Sequence, residues 1–451
     1  MMKLSICIIA AILTTLIIPF VRSLGRNASS IIRMVPVSPV PDPAAKHTQR
    51  LRRRAVQAEE LLHRPHRSYM DETAYYTDFN EEQKHRLLRK RAGTFYNLVL
   101  LLRFSNHADR QLPSRKDISR LYNYVDSPPL ADNRDSIVPT GSVRQFYESN
   151  SYNHFTIRTA VSDWITLSKP ESYYSSSNNG FTKIREAIVE ALNKIDHAAG
   201  GFNFSLFDYN KDGSLDGFGV LHSGYGAEYG GKDCEGVDSE DRIWSHKGGL
   251  TSAWKSSLAS ESRIVNVQRY YASSSLSGVC GSNIVRMGVI VHEIGHYIGL
   301  PDLYDETFLG AGLGAYDFMS QSWGWDGTGT FPPNLCAWSK SKLGWTDLQV
   351  IEKDGTYRLK SSATSNIVYK IMAGYPTGEY LLIENRQPIG YDSKMNGEGG
   401  LAIYHIDDKA DGQSHRGYPS QSNWPRNGRH YQVALLPADG VCEYNLMLHC
   451  Y

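Results

Sequence analysis

Hydrophobic and polar positions change character several times along the 451 residues. Leu4 to Val21 is an apolar run of 18 residues without charge, placed just after Lys3. Much later, Phe95-Tyr96-Asn97-Leu98-Val99-Leu100-Leu101-Leu102 is short and almost continuously apolar, the pattern of a buried strand. Phe181 to Ala198 carries Ile184, Ile188, Ala191, Leu192 and Ile195 at helical spacing, and Gly200-Gly201 supplies a stop. Gly217 to His222 has the pattern of a short strand, and Met287 to Ile298 that of a strongly apolar helix. From Trp345 onward the runs are short and strand-like: Thr356 to Leu359, Ile367 to Met372, Glu379 to Glu384 and Leu401 to Ile406. No internal repeat of fixed period emerges. The expected fold class is α/β or α+β, ending in a β-rich C-terminal part.

The N-terminal run has a basic residue before it, with Pro19 and small residues after it. That is the layout of a cleaved signal peptide over 1–25, and hence of a secreted protein. The alternative is an uncleaved N-terminal anchor facing the outside of the cytoplasm. No later segment is long and apolar enough to span a bilayer. Composition adds a charge asymmetry. The net charge is +1, but residues 26–91 hold 14 Lys and Arg against 8 Asp and Glu, while the body from residue 92 is acidic at −7. Two basic clusters, Arg50-Leu51-Arg52-Arg53-Arg54 and Arg89-Lys90-Arg91, are candidate processing sites, and the second stands just before the first buried strand. Residues 26–91 are therefore expected to be a basic prosegment, 92–345 a catalytic domain and 346–451 its β-rich C-terminal part. An acidic body without a basic-aromatic pattern gives no basis for nucleic-acid binding. Five cysteines follow the leader, an odd number. Cys234 with Cys280 is the favoured disulfide, since both sit in Gly/Ser-rich loop sequence. Asn203-Phe204-Ser205 is a glycosylation sequon.

The chemistry concentrates in Val291-His292-Glu293-Ile294-Gly295-His296-Tyr297-Ile298-Gly299-Leu300-Pro301-Asp302. On a helix, His292 and His296 lie one turn apart on one face and can share a zinc ion. Glu293, between them, is placed to take a proton from a water at the metal. Gly299 can turn the chain off the helix, which returns Asp302 as third ligand, with Asp305 as runner-up. The competing scheme takes a glutamate from a second helix downstream. After Glu306 no glutamate occurs until Glu352, so that scheme is hard to build here.

This HExxHxxGxxD pattern, followed by Gly314-Ala315-Tyr316-Asp317-Phe318-Met319-Ser320-Gln321-Ser322-Trp323-Gly324, resembles the immune inhibitor A family of secreted, metzincin-like metallopeptidases. The resemblance runs from about residue 94 to about 440. It includes Gly141 to Arg144, His222 to Glu228, Arg242 to His246, Gly378 to Arg386 and Gly399 to Asp407. It implies that His292 and His296 bind zinc, that Glu293 is catalytic and that Met319 is the turn methionine beneath the metal. It also implies a mixed sheet with the zinc helix beneath its edge. No tyrosine closely follows Met319, which leaves Tyr316 or His246 as candidates to stabilise an oxyanion.

A second cation signal is Asp208-Tyr209-Asn210-Lys211-Asp212-Gly213-Ser214-Leu215-Asp216, with oxygen-bearing residues at positions 1, 3, 5, 7 and 9 and glycine at 6. This matches the first nine places of a Ca²⁺ loop, but the twelfth is Gly219. The expectation is a structural calcium site formed by Asp208, Asn210, Asp212, Ser214 and Asp216. Gly310-Ala311-Gly312-Leu313-Gly314-Ala315 only loosely matches a dinucleotide fingerprint and reads as a loop near the metal. The functional expectation is a secreted zinc endopeptidase acting on protein or peptide substrates and made as a zymogen. The alternatives are an inactive calcium-binding adhesion protein on a peptidase fold, or a zinc hydrolase of non-peptide amides.

Overall fold

A computed structural model describes residues 32–36, 93–126, 136–176, 178–198, 201–257, 264–305, 312–410, 412–413 and 431–436. The proposed leader, both basic clusters, Cys442 and Cys450 lie outside the described residues.

Its first sheet has five strands: β2 (Gly93–Arg103), β3 (Phe155–Thr166), β4 (Gly217–His222), β5 (His246–Lys255) and β6 (Asn266–Ser274), in the order β3-β2-β4-β6-β5. Neighbours from β3 to β6 are parallel, and only the edge strand β5 runs antiparallel. The apolar run in β2 is continuous because both faces of that strand are covered. Leu98, Leu100 and Leu102 join a core with Ile184, Ile188 and Leu192 of the helix Ile184–Asp196. Phe95, Val99 and Leu101 face the other way, toward the helices Arg115–Asn123, Val143–Asn150 and Met287–Tyr297. In chain order the helices are α1 (Arg115–Asn123), α2 (Val143–Asn150), α3 (Glu171–Ser175), α4 (Ile184–Asp196), α5 (Met287–Tyr297) and α6 (Ala337–Lys342). The second helix begins with a capping box: Ser142 Oγ accepts the Gln145 amide, and Gln145 Oε1 accepts the Ser142 amide. The sheet interior carries a buried polar side chain, Asn97, whose amide nitrogen donates to Tyr271 Oη at 2.8 Å and Thr159 Oγ1 at 3.2 Å.

The strand-rich C-terminal part forms a second five-stranded sheet. Its strands are β7 (Asp347–Val350), β9 (Ile367–Ile371), β10 (Glu379–Arg386), β11 (Gly400–Asp407) and β12 (Val433–Leu435), ordered β12-β11-β10-β9-β7. Three of its four pairings are antiparallel, and β7 with β9 is parallel. Between them, β8 (Gly355–Leu359) pairs in parallel with β1 (Ile32–Pro36), so a piece of the basic N-terminal segment lies along the C-terminal part. The two sheets share one core. Ile290, Val291 and Ile294 of α5 belong to the same buried cluster as Val368, Leu382, Tyr404 and Ile406. That cluster runs across the boundary expected at residue 345.

The expected Cys234–Cys280 disulfide is present, with Cα atoms 5.3 Å apart. Cys336 is a buried free thiol among the described residues. No described helix is long and apolar enough to cross a membrane.

Candidate metal centre

Apart from His292, Glu293 and His296 the sequence of α5 is largely apolar, and every residue from Met287 to Tyr297 is buried. Such a helix needs close-fitting neighbours, and two glycines one heptad apart provide for one. A Cβ at Gly295 would overlap Met319 Sδ, and one at Gly288 would overlap the Ser322 carbonyl. Both positions let the loop carrying Met319 lie directly on the helix. The Gly288 amide, one of the unpaired donors at the helix start, is accepted by the Gly329 carbonyl at 2.9 Å.

The helix ends in a Schellman motif. Leu300 N donates to Gly295 O and Gly299 N to His296 O, both at 3.0 Å. Gly299 has φ 103°, a conformation a side chain would oppose. The turn brings the next carboxylate back under the helix. Asp302 Oδ1 stands 3.1 Å from His292 Nε2 and 3.2 Å from His296 Nε2. Each histidine is oriented by its other nitrogen: His292 Nδ1 meets the Phe318 carbonyl at 3.1 Å and His296 Nδ1 the Leu300 carbonyl at 2.9 Å. Such backbone partners fix the tautomer that leaves Nε2 with its lone pair for a metal.

Among the described residues, one group of three such ligands comes together, His292, His296 and Asp302, with candidate atoms all within 4.8 Å of one another. The donor set suits zinc. Two further observations fit a cation held by these residues. Asp302 Oδ1 and Glu293 Oε2 are buried oxygens without a well-directed hydrogen bond. The titratable groups here also act strongly on one another. Burial raises the Glu293 carboxyl to about 7 against the pull of both histidines. Burial likewise works against a charged His292, yet Asp302 and Glu293 lift it to about 9. Asp302 is held well below the usual carboxylate range, as the histidines outweigh its burial.

The runner-up Asp305 is turned elsewhere: its Oδ2 accepts the Tyr431 hydroxyl at 3.0 Å. Met319 is fully buried against α5; its amide donates to Asp317 Oδ1 at 2.7 Å, and its carbonyl accepts from Leu303 N at 3.0 Å. His246 does not join the site. It packs on Phe181 at 4.3 Å and meets Tyr270 Oη at 3.3 Å, on the sheet face covered by α4 and away from α5. The Tyr316 ring lies against Trp325 and the Arg386 guanidinium. In the loop of Asp208 to Asp216, side-chain oxygens accept the loop's own amides. Asp208 takes Asp212 N at 2.9 Å and Gly213 N at 3.0 Å, and Asp212 takes Ser214 N at 2.9 Å. Asn210 Oδ1 also takes Asp212 N, at 2.9 Å.

Several contributors went unread in the sequence. Tyr147 donates to the Val291 carbonyl at 2.6 Å, bracing α5 from α2. Asp317 ties the Met319 amide to Cys336 N, the latter at 2.8 Å. Arg386 lay inside a stretch matched by resemblance, but nothing in its sequence showed which loop it reaches.

A buried parallel sheet with a helix-borne pair of imidazoles, a returning carboxylate and a glutamate held ready beside them defines a metallopeptidase domain. Residues 130–346 match the family model of the immune inhibitor A peptidase M6, catalytic domain. Over 228 residues, 45% of this chain, the protein is 30% identical to the pre-pro-metalloprotease PrtV of Vibrio cholerae serotype O1 (strain M66-2), covering 23% of that relative. It is 27% identical over 236 residues, 47% of this chain, to immune inhibitor A of Bacillus thuringiensis subsp. alesti, covering 33% of it. The chain thus spans about a quarter to a third of the length of these relatives.

Proposed function

We propose that this protein is a secreted zinc endopeptidase, made as a zymogen, in which His292, His296 and Asp302 hold the metal and Glu293 is the general base. The observation that carries the reading is the convergence of Asp302 Oδ1 on both Nε2 atoms, beside a buried glutamate that serves neither histidine as a partner. Zinc in such a site supplies Lewis acidity toward a peptide carbonyl and acidifies water at neutral pH. The chain's own residues do the rest. Glu293 accepts the proton of the attacking water and returns it to the departing amine. Phe318 and Leu300 carbonyls keep the imidazoles aimed, and Met319 packs its sulfur against α5 at Gly295. Secretion and processing are supported by the apolar leader, the dibasic boundary at Arg91 and the likeness to a relative named as a pre-pro-metalloprotease.

The test is Glu293→Gln, assayed on a peptide library after loading with zinc. The variant should keep its zinc and lose about 10²–10⁴-fold or more in turnover. Near-normal cleavage by the loaded variant would reject the assignment. A library in which the wild type cleaves no peptide would instead favour a non-peptide amide as substrate.

Calcium at Asp208, Asn210, Asp212, Ser214 and Asp216 is a separate proposal, supported by the ligand spacing alone. Calcium bound only by the folded state raises stability by mass action. The melting temperature should therefore climb with calcium, and a midpoint unmoved up to millimolar calcium rejects the site.

A further inference from the structure

We propose that the strand-rich part after residue 346 is a working part of the metal centre, with Arg386 and Tyr431 as positioning residues. They hold the loop of Asp302 and the loop of Met319 in place beneath α5. The inference rests on the metallopeptidase reading and extends it beyond the residues matched by the catalytic-domain family.

Neither loop is fixed by α5 alone. Residues 300–305 carry Asp302, residues 312–334 carry Met319, and the two are tied through Leu303 N to Met319 O and Leu313 N to Leu303 O, both at 3.0 Å. Each is then gripped from the C-terminal part. On the Asp302 loop, Tyr431 donates its hydroxyl to Asp305 Oδ2 at 3.0 Å. Gln413 Nε2 donates to Leu303 O at 3.2 Å, and Gln413 is itself held by Val433 through both ends of its amide. On the Met319 loop, Arg386 at the end of β10 donates to the Tyr316 carbonyl, and to the Asn334 carbonyl at 2.8 Å. Its guanidinium is paired with Asp392 through Nε at 3.0 Å and Nη2 at 2.9 Å. Asp392 in turn accepts Trp325 Nε1 at 3.1 Å, Asn334 N at 3.0 Å and Asn334 Nδ2 at 2.9 Å.

Arg386 and Asp392 are both buried, so their charges are expensive unless fully paired and hydrogen-bonded. Much of that pairing runs to backbone and side chains of the Met319 loop. A fixed fork of donors on two carbonyls and a carboxylate defines one loop position, which a mobile apolar contact would not. Partners of this kind, one layer outside the ligands, commonly change metal affinity by about 10–100-fold when removed.

The experiment uses the full zinc-loaded chain and three variants. Tyr431→Phe deletes a single hydroxyl, and Arg386→Lys keeps the charge but loses the fork. Ile188→Ala, on the buried face of α4 and in a core cluster separate from that of α5 and Met319, is a control for lost stability alone. Zinc release into a chromogenic chelator, kcat, KM and melting temperature are read for each. Tyr431→Phe and Arg386→Lys should release zinc about 10-fold faster and lower kcat more than they raise KM. Ile188→Ala should melt earlier while releasing zinc at the wild-type rate. The proposal is overturned if both loop variants release zinc as slowly as wild type, or if the control speeds release as much as they do. A wild-type chain that takes up no zinc fails the metallopeptidase reading itself, an outcome distinct from unchanged release rates.

Discussion

Asp302 is the residue on which the proposed metal centre turns. Two imidazoles one helical turn apart leave zinc short of a protein ligand, and the turn at Gly299 determines which carboxylate returns. Sequence spacing left Asp302 and Asp305 only three residues apart. The structure separates them, since Asp302 meets both Nε2 atoms while Asp305 bonds Tyr431. Asp302→Ala should therefore lose zinc on dialysis, Asp302→His should retain it, and Asp305→Ala should hold zinc more firmly than Asp302→Ala. Metal content of the three variants decides. Full retention in Asp302→Ala with loss in Asp305→Ala would move the ligand to Asp305. That His292 and His296 come together was legible from the sequence because positions four apart share one face of a helix. His246 was misjudged as an oxyanion candidate because its position in the sequence does not say which face of β5 it occupies; its pairing with Ala272 puts it on the α4 side.

At the scale of elements, the long apolar runs identified themselves: β2, α4, α5 and the late strands β8 to β11 fall where hydrophobic spacing put them, with ends shifted by up to three residues. The edge strand β5 did not. Its Gly248-Gly249 and its exposed Thr251 to Ala253 break the alternation, and only pairing with β6 makes it a strand. Burial inside these elements has a consequence for pH. Burial chiefly, helped by the neighbouring His107, His246 and Arg110, which disfavour a further positive charge, lowers His222 from 6.5 to about 3. Burial lowers His246 to about 4. Both histidines are neutral when folded, so the unfolded chain takes up protons first as pH falls below about 6.5. Their contribution is neutral above that pH and increasingly destabilising down toward pH 4 and then 3. Denaturation midpoints between pH 7 and 4 should fall less steeply in His222→Gln than in wild type. Equal slopes would mean that His222 already titrates in the native state.

The whole molecule joins a basic N-terminal segment, an acidic body and a core shared by two sheets. The opposite charges of residues 26–91 and 92–451 favour their association, and β1 on β8 gives a first backbone contact between them. Residues 26–91 contain no cysteine, so a thiolate latch on zinc is ruled out for that segment. Cleavage after Arg91 predicts that the active secreted form begins at or near residue 92. N-terminal sequencing checks this, and a start near residue 24–26 with full activity would contradict a zymogen. The union of the two sheets could not be read from the sequence, because Arg386, Asp392 and Tyr431 reach loops more than 50 residues away in the chain.

The most direct measurement is hydrolysis of casein by the purified, processed chain with and without a zinc chelator, followed by zinc addition. A zinc endopeptidase built on His292, His296 and Asp302 loses cleavage when the metal is withdrawn and regains it when zinc returns. Cleavage that persists through complete chelation, or a zinc-loaded chain that cleaves neither casein nor any peptide, would contradict it.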